Sequence, residues 1–258
     1  MTPQPADQRS VTREGPGPHW RQADVVAAFV AQTTAQAEQR RVLFDFACDL
    51  FPFAPDARIR VLDIGAGYGA FAAAVLDRFP NATAVGLDLS DPMMAVGRER
   101  MARFGERFAY HVGDMAEGEL PANLPGPFDV AITSAFILHL TSKAKQRLYA
   151  EVFRILNPGG CFFNVDQVGP ANEEMQAWYR ERHEREPQHC SDQPEPPNAH
   201  ALMRHHHFET EAHHLHHHFE TEADQVVFLR AAGFVRVDCF YKRLLQTLIG
   251  GYKPSQSV

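Results

Sequence analysis

Acidic and glycine residues follow successive predicted strands, and these residue types could bind a ligand. Asp63 precedes the glycine loop Gly65-Ala66-Gly67-Tyr68-Gly69, and Asp88 ends the next predicted strand. Glycines permit a tight turn and a close approach of a ligand to the backbone. The third glycine comes one residue too early for the dinucleotide-binding spacing, and a carboxylate at Asp63 would repel a pyrophosphate. The pattern favours a ligand with positive charge near Asp63 and hydroxyls near Asp88, although a glycine turn can also serve packing alone.

A third acid extends this pattern and offers a different contact. Gly113-Asp114-Met115 follows the third predicted strand. Asp114 could accept a hydrogen bond from an exocyclic amine, and the Met115 side chain could pack on a flat ring. One acid would be weak evidence, but three acids after successive strands form an ordered set.

Alternating strand and helix patterns must position these acids. Short apolar runs predict strands at 60–64, 83–88, 108–112, 128–134 and 161–165, and helical spacing predicts helices at 70–79, 92–104 and 143–156. Ser90 or Asp91 would cap the helix at 92–104. Such alternation implies a parallel sheet with helices on both faces, where ligands lie at the carboxyl ends of the strands. The three acids are therefore predicted to meet at one edge.

Several motifs together resemble a known family. Besides the glycine loop, the chain carries Leu156-Asn157-Pro158-Gly159-Gly160 and Ala232-Gly233-Phe234. Over about 58–168 and 223–254 the sequence resembles the class I S-adenosylmethionine-dependent methyltransferases. The resemblance implies an α/β, Rossmann-like, doubly wound sheet of seven strands with the last strand antiparallel. It also implies S-adenosylmethionine as the cofactor and methyl transfer to a small-molecule acceptor.

The same resemblance implies a set of cofactor contacts. Asp63 and the loop glycines would surround the methionine moiety, and Asp88 would bind the ribose. Asp114 and Met115 would lie at the adenine, and backbone groups near Thr133 and Ser134 would meet the amino-acid end. The predicted cofactor contacts are Asp63, Gly65, Ala66, Gly67, Asp88, Leu89, Met93, Asp114, Met115, Thr133 and Ser134.

His139 is the candidate catalytic residue. It lies in Ile137-Leu138-His139-Leu140 after the fourth predicted strand. This segment resembles the Ile-His-His-Leu of small-molecule methyltransferases of this class, with one histidine missing. A neutral histidine there could accept a proton from the nucleophile. Alternatively, His139 anchors the loop and the reaction proceeds by positioning alone. Four aromatic residues could line an acceptor pocket or belong to the core: Trp20, Phe136, Trp178 and Tyr179.

The remaining segments predict the domain organisation. Residues 1–18 are rich in proline and polar residues and predict a disordered lead, and 19–52 predict an N-terminal lid of two helices. The cofactor-binding core would comprise 53–168 and 219–258. Residues 169–218 would form an insertion or lid that begins with a helix at 173–185. Thr221-Glu222-Ala223-Asp224 resembles a capping box, and strands at 234–241 and 245–250 would close the sheet.

A histidine-rich repeat lies within the predicted insertion. Eleven of the 14 histidines fall between His183 and His218, and residues 205–212 recur as 216–223. A period of 11 residues keeps the faces of a helix nearly in phase, which is typical of a tandem duplication. Histidines at i,i+4, such as His213 with His217, could instead share a divalent ion. We interpret the repeat as a solvated polar stretch and predict no metal ligand.

Composition excludes some classes of protein. Of the 258 residues, 45% are hydrophobic. The net charge of −7 disfavours nucleic acid as a partner. No apolar run reaches the ~18 residues of a membrane span, and the N-terminal residues lack a secretory pattern. The four cysteines are scattered, so a cytoplasmic protein is expected. The oligomeric state stays open.

Three rival functions remain at this point. The first is another S-adenosylmethionine chemistry, such as aminocarboxypropyl transfer or cyclisation. The second is a transfer-RNA modifier, whose binding would depend steeply on salt. The third is a non-catalytic metal-binding or sensor protein that keeps the fold.

Overall fold

The computed structural model describes residues 19–185 and 220–255, which form one seven-stranded sheet flanked by helices. The strands are β1 (Arg60–Ile64), β2 (Thr83–Asp88), β3 (Phe108–Val112), β4 (Phe128–Ser134), β5 (Leu156–Gln167), β6 (Val235–Arg243) and β7 (Gln246–Tyr252). The helices are α1 (Ala23–Ala35), α2 (Ala37–Asp49), α3 (Ala70–Arg78), α4 (Asp91–Met101), α5 (Ser142–Ile155), α6 (Glu173–Arg185) and α7 (Glu222–Ala231). Short 3₁₀ turns occupy His19–Arg21, Ala102–Arg107 and Ile137–His139.

The strand order is β3-β2-β1-β4-β5-β7-β6. Strands β1 to β5 pair in parallel, whereas β7 lies antiparallel between β5 and β6. The predicted seven-stranded sheet with an antiparallel last strand is confirmed. Because the chain leaves β1 toward β2 on one side and reaches β4 on the other, the topological switch point lies between β1 and β4.

Each face of the sheet is covered by its own apolar cluster. On one face α2 and α3 pack together, with Phe44 and Phe71 stacked at 4.3 Å between ring centroids. On the other face α5 and α7 cover the sheet, with Leu148 and Leu229 fully buried. A smaller cluster places Val26 of α1 against Met93 of α4, so α1 lies over the glycine loop. This packing fixes the loops at the carboxyl edge of the sheet.

Local sequence signals explain most element boundaries. Ser90 caps α4 through a hydrogen bond from Met93 N to Ser90 Oγ (3.2 Å), and Pro92 lies in the first turn. Thr221 and Asp224 form the predicted capping box at the start of α7. The bounds of β1, β2, β3 and β4 match the predictions from the apolar runs.

Two predicted boundaries are wrong by three residues or more. Strand β5 begins at Leu156 rather than at 161, because Asn157 donates to Asp129 (2.8 Å) and Lys253 N donates to Gly160 O (2.8 Å). These partners hold the turn residues in the irregular start of the strand. The helix predicted to run to residue 104 ends at Met101, and a 3₁₀ turn follows that contains Gly105 at φ 54°. Both differences arise from contacts or backbone angles that apolar spacing does not encode.

Several predictions fall on residues outside the described ranges. They concern the lead at 1–18 and the histidine repeat, both of which stay predictions. Within 19–185 and 220–255, no helix has the length and apolar character needed to cross a membrane.

Candidate functional site

An open cavity lies at the carboxyl edge of the sheet, at the switch point between β1 and β4. Its volume is about 900 Å³ when the space at its mouth is included. Every predicted cofactor contact except Thr133 lines it, and so does His139. Loops that are distant in sequence therefore converge on one cavity, as the strand-end pattern predicts.

The Thr133 side chain makes a structural contact, and the predicted contact of the backbone near Thr133 with the cofactor stays a prediction. Its side chain is fully buried in β4, and Oγ1 donates a hydrogen bond to the carbonyl of Ile64 at 2.8 Å. This bond links β4 to β1 beneath the cavity. Ser134, the next residue, does line the cavity, because successive side chains of a strand point to opposite faces.

The glycine loop is held against the neighbouring strand. The N–H groups of Gly65 and Ala66 both donate to the carbonyl of Leu87, at 2.8 and 3.1 Å. Gly65 adopts φ +64°, and a Cβ placed there would lie 2.5 Å from Cγ of Phe136. Glycine is therefore required at position 65 both by the backbone angle and by the close approach of an aromatic ring.

Asp63 is the most deeply buried acid of the cavity. Its side chain accepts a hydrogen bond from Ala72 N at 3.1 Å, in the first turn of α3, and the residue is only 2% exposed. The pKa of Asp63 is raised to about 7, mainly by burial and also by the charge of Asp88, while the Ala72 hydrogen bond and the charge of Arg40 oppose the rise. A cation bound in the cavity would remove this penalty and favour the carboxylate.

Asp88 links two loops. Oδ2 accepts from Gly67 N at 2.7 Å, and Oδ1 accepts from Ser90 N at 2.8 Å. Burial raises its pKa, and these backbone hydrogen bonds lower it. Since a carboxylate oxygen can accept more than one hydrogen bond, Asp88 keeps acceptor capacity toward the cavity.

Asp114 and Met115 form the far end of the cavity, after β3. Asp114 is exposed and accepts from Ala116 N at 2.9 Å, whereas Met115 is buried. The pair provides an acceptor beside an apolar surface. That combination suits the edge and the face of a heteroaromatic ring.

Arg40 and Tyr68 belong to the cavity, and sequence reasoning missed both. Nη1 of Arg40 donates to the Tyr68 hydroxyl at 2.7 Å, and Nη2 donates to Ser134 Oγ at 3.4 Å. The guanidinium also lies over the ring of Phe44, 5.3 Å from its centroid. Arg40 comes from α2 and adjoins Arg41 in the chain. A single sequence offers no signal that would distinguish the two arginines.

Aromatic side chains cover the cavity from the N-terminal segment. The Trp20 ring makes edge contacts with Phe29 at 5.1 Å and with His139 at 5.6 Å between centroids. Ser90 Oγ donates to the Trp20 carbonyl at 2.5 Å. Trp20 therefore spans the mouth from the β2 side to the β4 side, and it carries part of the predicted aromatic wall.

The four predicted aromatic residues divide into two pairs. Trp20 and Phe136 line the cavity. Trp178 and Tyr179 contact each other on α6 at 5.4 Å between centroids, and neither is among the cavity's lining residues. Trp178 is 47% exposed, and a place for these two residues in the wall of an acceptor pocket stays a prediction.

In the part of the chain that the structure describes, no three His, Cys, Asp or Glu side chains lie close enough together to hold a metal ion. The histidine repeat falls outside that part. Its metal-binding alternative is therefore still a prediction.

Comparisons with known proteins agree with this architecture. Residues 61–160 match a family described as a methyltransferase domain. A ubiquinone/menaquinone biosynthesis C-methyltransferase of Methylobacterium nodulans is 39% identical over 42% of this chain and 41% of its own length. An O-methyltransferase family protein of Burkholderia thailandensis superposes with a TM-score of 0.61 at 17% identity, over 91% of this chain and 60% of the other.

A third similarity is to the human N-acetylserotonin methyltransferase, whose structure was solved in complex with S-adenosylmethionine. It superposes with a TM-score of 0.57 at 17% identity, over 92% of this chain and 58% of that protein. At such identities the solved structures establish the fold. The chain spans about two fifths of the length of the first curated relative it matches. Residues 61–160 are therefore similar to a methyltransferase domain, and the described sheet and helices have the fold of these solved methyltransferases.

Proposed function

We propose that this protein is an S-adenosylmethionine-dependent methyltransferase that acts on a small-molecule acceptor. One observation carries the proposal: the glycine loop and the three strand-end acids line the same cavity at the switch point of the sheet. The family match over residues 61–160 supports the same conclusion.

The charges around the cavity suit the amino-acid end of the cofactor. Asp63 offers a buried carboxylate to the methionine ammonium. Arg40, held by Tyr68 and Ser134, offers a guanidinium to the methionine carboxylate. This assignment of Arg40 adds to the contacts predicted from the sequence.

The nucleoside end would occupy the other half of the cavity. Asp88 would accept hydrogen bonds from the ribose hydroxyls, in addition to those it accepts from the backbone. Leu89 and Met115 offer apolar surface to the adenine, and Asp114 offers an acceptor to its amine.

The bound cofactor supplies an electrophilic methyl group, so the protein must mainly position the acceptor and exclude water. The aromatic wall of Trp20, Phe29 and Phe136 suits an apolar or flat acceptor. His139, beside Trp20 in the cavity, would accept a proton from the nucleophile.

A cytoplasmic location and an acceptor other than nucleic acid are also part of the proposal. They are supported by the net charge of −7 and by four scattered cysteines. Of the described cysteines, Cys48 and Cys161 are buried, and burial raises the pKa of Cys161.

The test has two arms. Calorimetry should show that S-adenosylmethionine and its demethylated product bind in the micromolar range without added metal, and that NAD does not bind. Incubation of extract with methyl-labelled cofactor should then yield a labelled small molecule, identified by mass spectrometry. Binding of NAD alone would contradict the proposal. A product that carries the aminocarboxypropyl group, labelled RNA, or cofactor binding without any product would favour the respective rival.

A further inference from the structure

A buried acid outside the cavity holds the loop that forms the cavity's β4 side. Asp166, near the end of β5, is 4% exposed. Its Oδ2 accepts from Leu138 N at 3.0 Å, and its Oδ1 accepts from Gln167 N at 2.8 Å. It also accepts from the backbone of Ile137. Both Ile137 and Leu138 belong to the turn Ile137–His139, so one carboxylate satisfies the amides that open this turn.

The turn carries the side chains that face the cavity. Phe136, just before it, lies against Gly65, where a Cβ would meet its ring at 2.5 Å. His139, at its end, contacts the Trp20 ring. A displacement of the turn would therefore move two cavity residues together, although Asp166 itself is not among the cavity's lining residues.

Charged groups of α5 and of the segment before α7 surround Asp166. Lys145 is fully buried, forms an ion pair with Glu220, and lowers the pKa of Asp166 by its charge. Burial has the larger, opposite effect and raises the pKa of Asp166 to about 6. The Tyr149 hydroxyl, which hydrogen bonds to Gln225, lies near the same charges.

We propose that Asp166 is a positioning residue for the acceptor side of the cavity. Its ionised carboxylate fixes the turn Ile137–His139 and thereby sets Phe136 and His139 against the glycine loop and Trp20. Protonation replaces one accepting oxygen by a hydroxyl, weakens the bonds to the turn amides, and loosens both side chains. The effect of Asp166 on the turn does not depend on the proposed function. Only the consequence of that effect for methyl transfer rests on it.

The chain contains a built-in reporter for the test. It has two tryptophans, so Trp178→Phe leaves Trp20 as the single one. Trp20 contacts His139, and its fluorescence emission therefore reports the position of the turn. In this background we expect the emission of Trp20 to change between pH 8 and pH 5 with a midpoint near 6, the pKa of Asp166.

Asp166→Asn in the same background should remove that transition. Its spectrum at pH 8 should resemble the parent spectrum at pH 5, and hydrogen exchange in residues 136–140 should rise about tenfold. The matched control is Asp129→Asn, since Asp129 also accepts backbone and side-chain hydrogen bonds but lies at the other end of β4. The Trp20 emission of this control should change with pH as it does in the parent protein.

Two further variants separate Asp166 from other groups that titrate. Asp63→Asn and His139→Gln, each in the Trp178→Phe background, should keep a transition with its midpoint near 6. Loss of the transition in either variant, or its persistence in Asp166→Asn, would overturn the inference. If Asp166→Asn does not fold, the parent titration decides, because a constant Trp20 emission from pH 8 to pH 5 refutes the proposal. Failure to bind S-adenosylmethionine would refute the proposed function and leave this result standing.

Discussion

The carboxylate of Asp88 reaches back across the glycine loop and accepts a hydrogen bond from Gly67 N at 2.7 Å. Its other oxygen accepts from Ser90 N, where α4 begins. The acid that would bind the ribose therefore also joins the loop after β1 to the loop after β2. Ligand binding and loop geometry are coupled through this one side chain.

Substitution of Asp88 by alanine should weaken cofactor binding by about 1.5–3 kcal/mol, the range for loss of hydrogen bonds to a charged group. Asp88→Asn should lose less binding free energy, because an amide oxygen can still accept a hydrogen bond from Gly67 N. The fold should survive, since the residue lies at a strand end. Calorimetry with S-adenosylmethionine measures the loss of affinity. A folded Asp88→Ala protein with unchanged affinity would exclude Asp88 as a ligand of the cofactor.

Gly65→Ala should weaken cofactor binding about tenfold or more, equal to about 1.4 kcal/mol. The new Cβ would displace the Phe136 ring, which it would meet at 2.5 Å. Gly159→Ala is the matched control, because Gly159 also has a positive φ (+80°) but meets only Ser255 Oγ, at 3.3 Å. Both variants should lower the melting temperature, and only Gly65→Ala should affect binding. Equal losses of affinity would contradict the role of Phe136.

The neighbouring arginines of α2 allow a second matched comparison. Arg40→Met should weaken cofactor binding by about 1.5–3 kcal/mol, since it removes a guanidinium from the cavity. Arg41→Met should leave binding unchanged, because Arg41 forms exposed ion pairs with Asp45 and Asp77. Such surface pairs contribute about 0–1 kcal/mol to stability. Two calorimetric titrations decide, and equal affinities in both variants would exclude Arg40 as a ligand of the cofactor.

The sequence predicted the sheet and the strand-end acids because their signals are local. Short apolar runs between glycine and proline residues mark β1 to β4, and the acids lie at or just beyond the ends of β1, β2 and β3. The carboxyl ends of parallel strands meet at one edge, so order along the chain predicted proximity in space.

Arg40, Asp166 and the start of β5 depend on long-range contacts instead. Arg40 and Ser134 are 94 residues apart, and Asp166 and Leu138 are 28 apart. No spacing rule connects such pairs, because they meet only when the sheet and the helices have packed. Helical spacing places Arg40 on α2, but it does not distinguish it from Arg41.

Cofactor binding should depend on pH through Asp63. Its pKa is raised from 3.8 to about 7, so the ligand-free protein binds a proton there below pH 7. An ammonium group favours the carboxylate, so binding near pH 7 should release a proton, and affinity should fall up to about tenfold per pH unit below 7. Calorimetry in two buffers of different ionisation enthalpy counts the proton. Cofactor binding to Asp63→Asn should release no proton.

The same shift sets the stability of the ligand-free protein. The raised pKa of Asp63 contributes stability that is fully present below pH 3.8 and is lost as the pH rises through 7. Asp63→Asn should therefore stabilise the ligand-free protein at pH 8, by as much as about 4 kcal/mol, while it abolishes the pH dependence of binding. Denaturant unfolding at pH 5 and pH 8 measures the gain, and equal stabilities of the two proteins at pH 8 would contradict the burial argument.

Deletion of residues 205–215 should leave cofactor binding intact. The predicted insertion is joined at its base by a hydrogen bond from Gly169 N to the carbonyl of Glu220 (2.7 Å), and the Glu220 side chain contacts Ser142 and Lys145 of α5. The deletion removes one copy of the repeat and preserves the sequence 216–223, including the capping residue Thr221.

Of the residues that the structure describes, those that line the cavity lie between 20 and 140, far in sequence from the deleted segment. We therefore expect an unchanged dissociation constant for S-adenosylmethionine, measured by calorimetry, and an unchanged far-UV circular dichroism spectrum apart from the missing residues. The matched control is Glu220→Gln in the full chain, which weakens the base of the insertion without shortening it. Loss of cofactor binding on deletion, or loss of one stoichiometric metal from the purified protein, would show that the histidines form a real site.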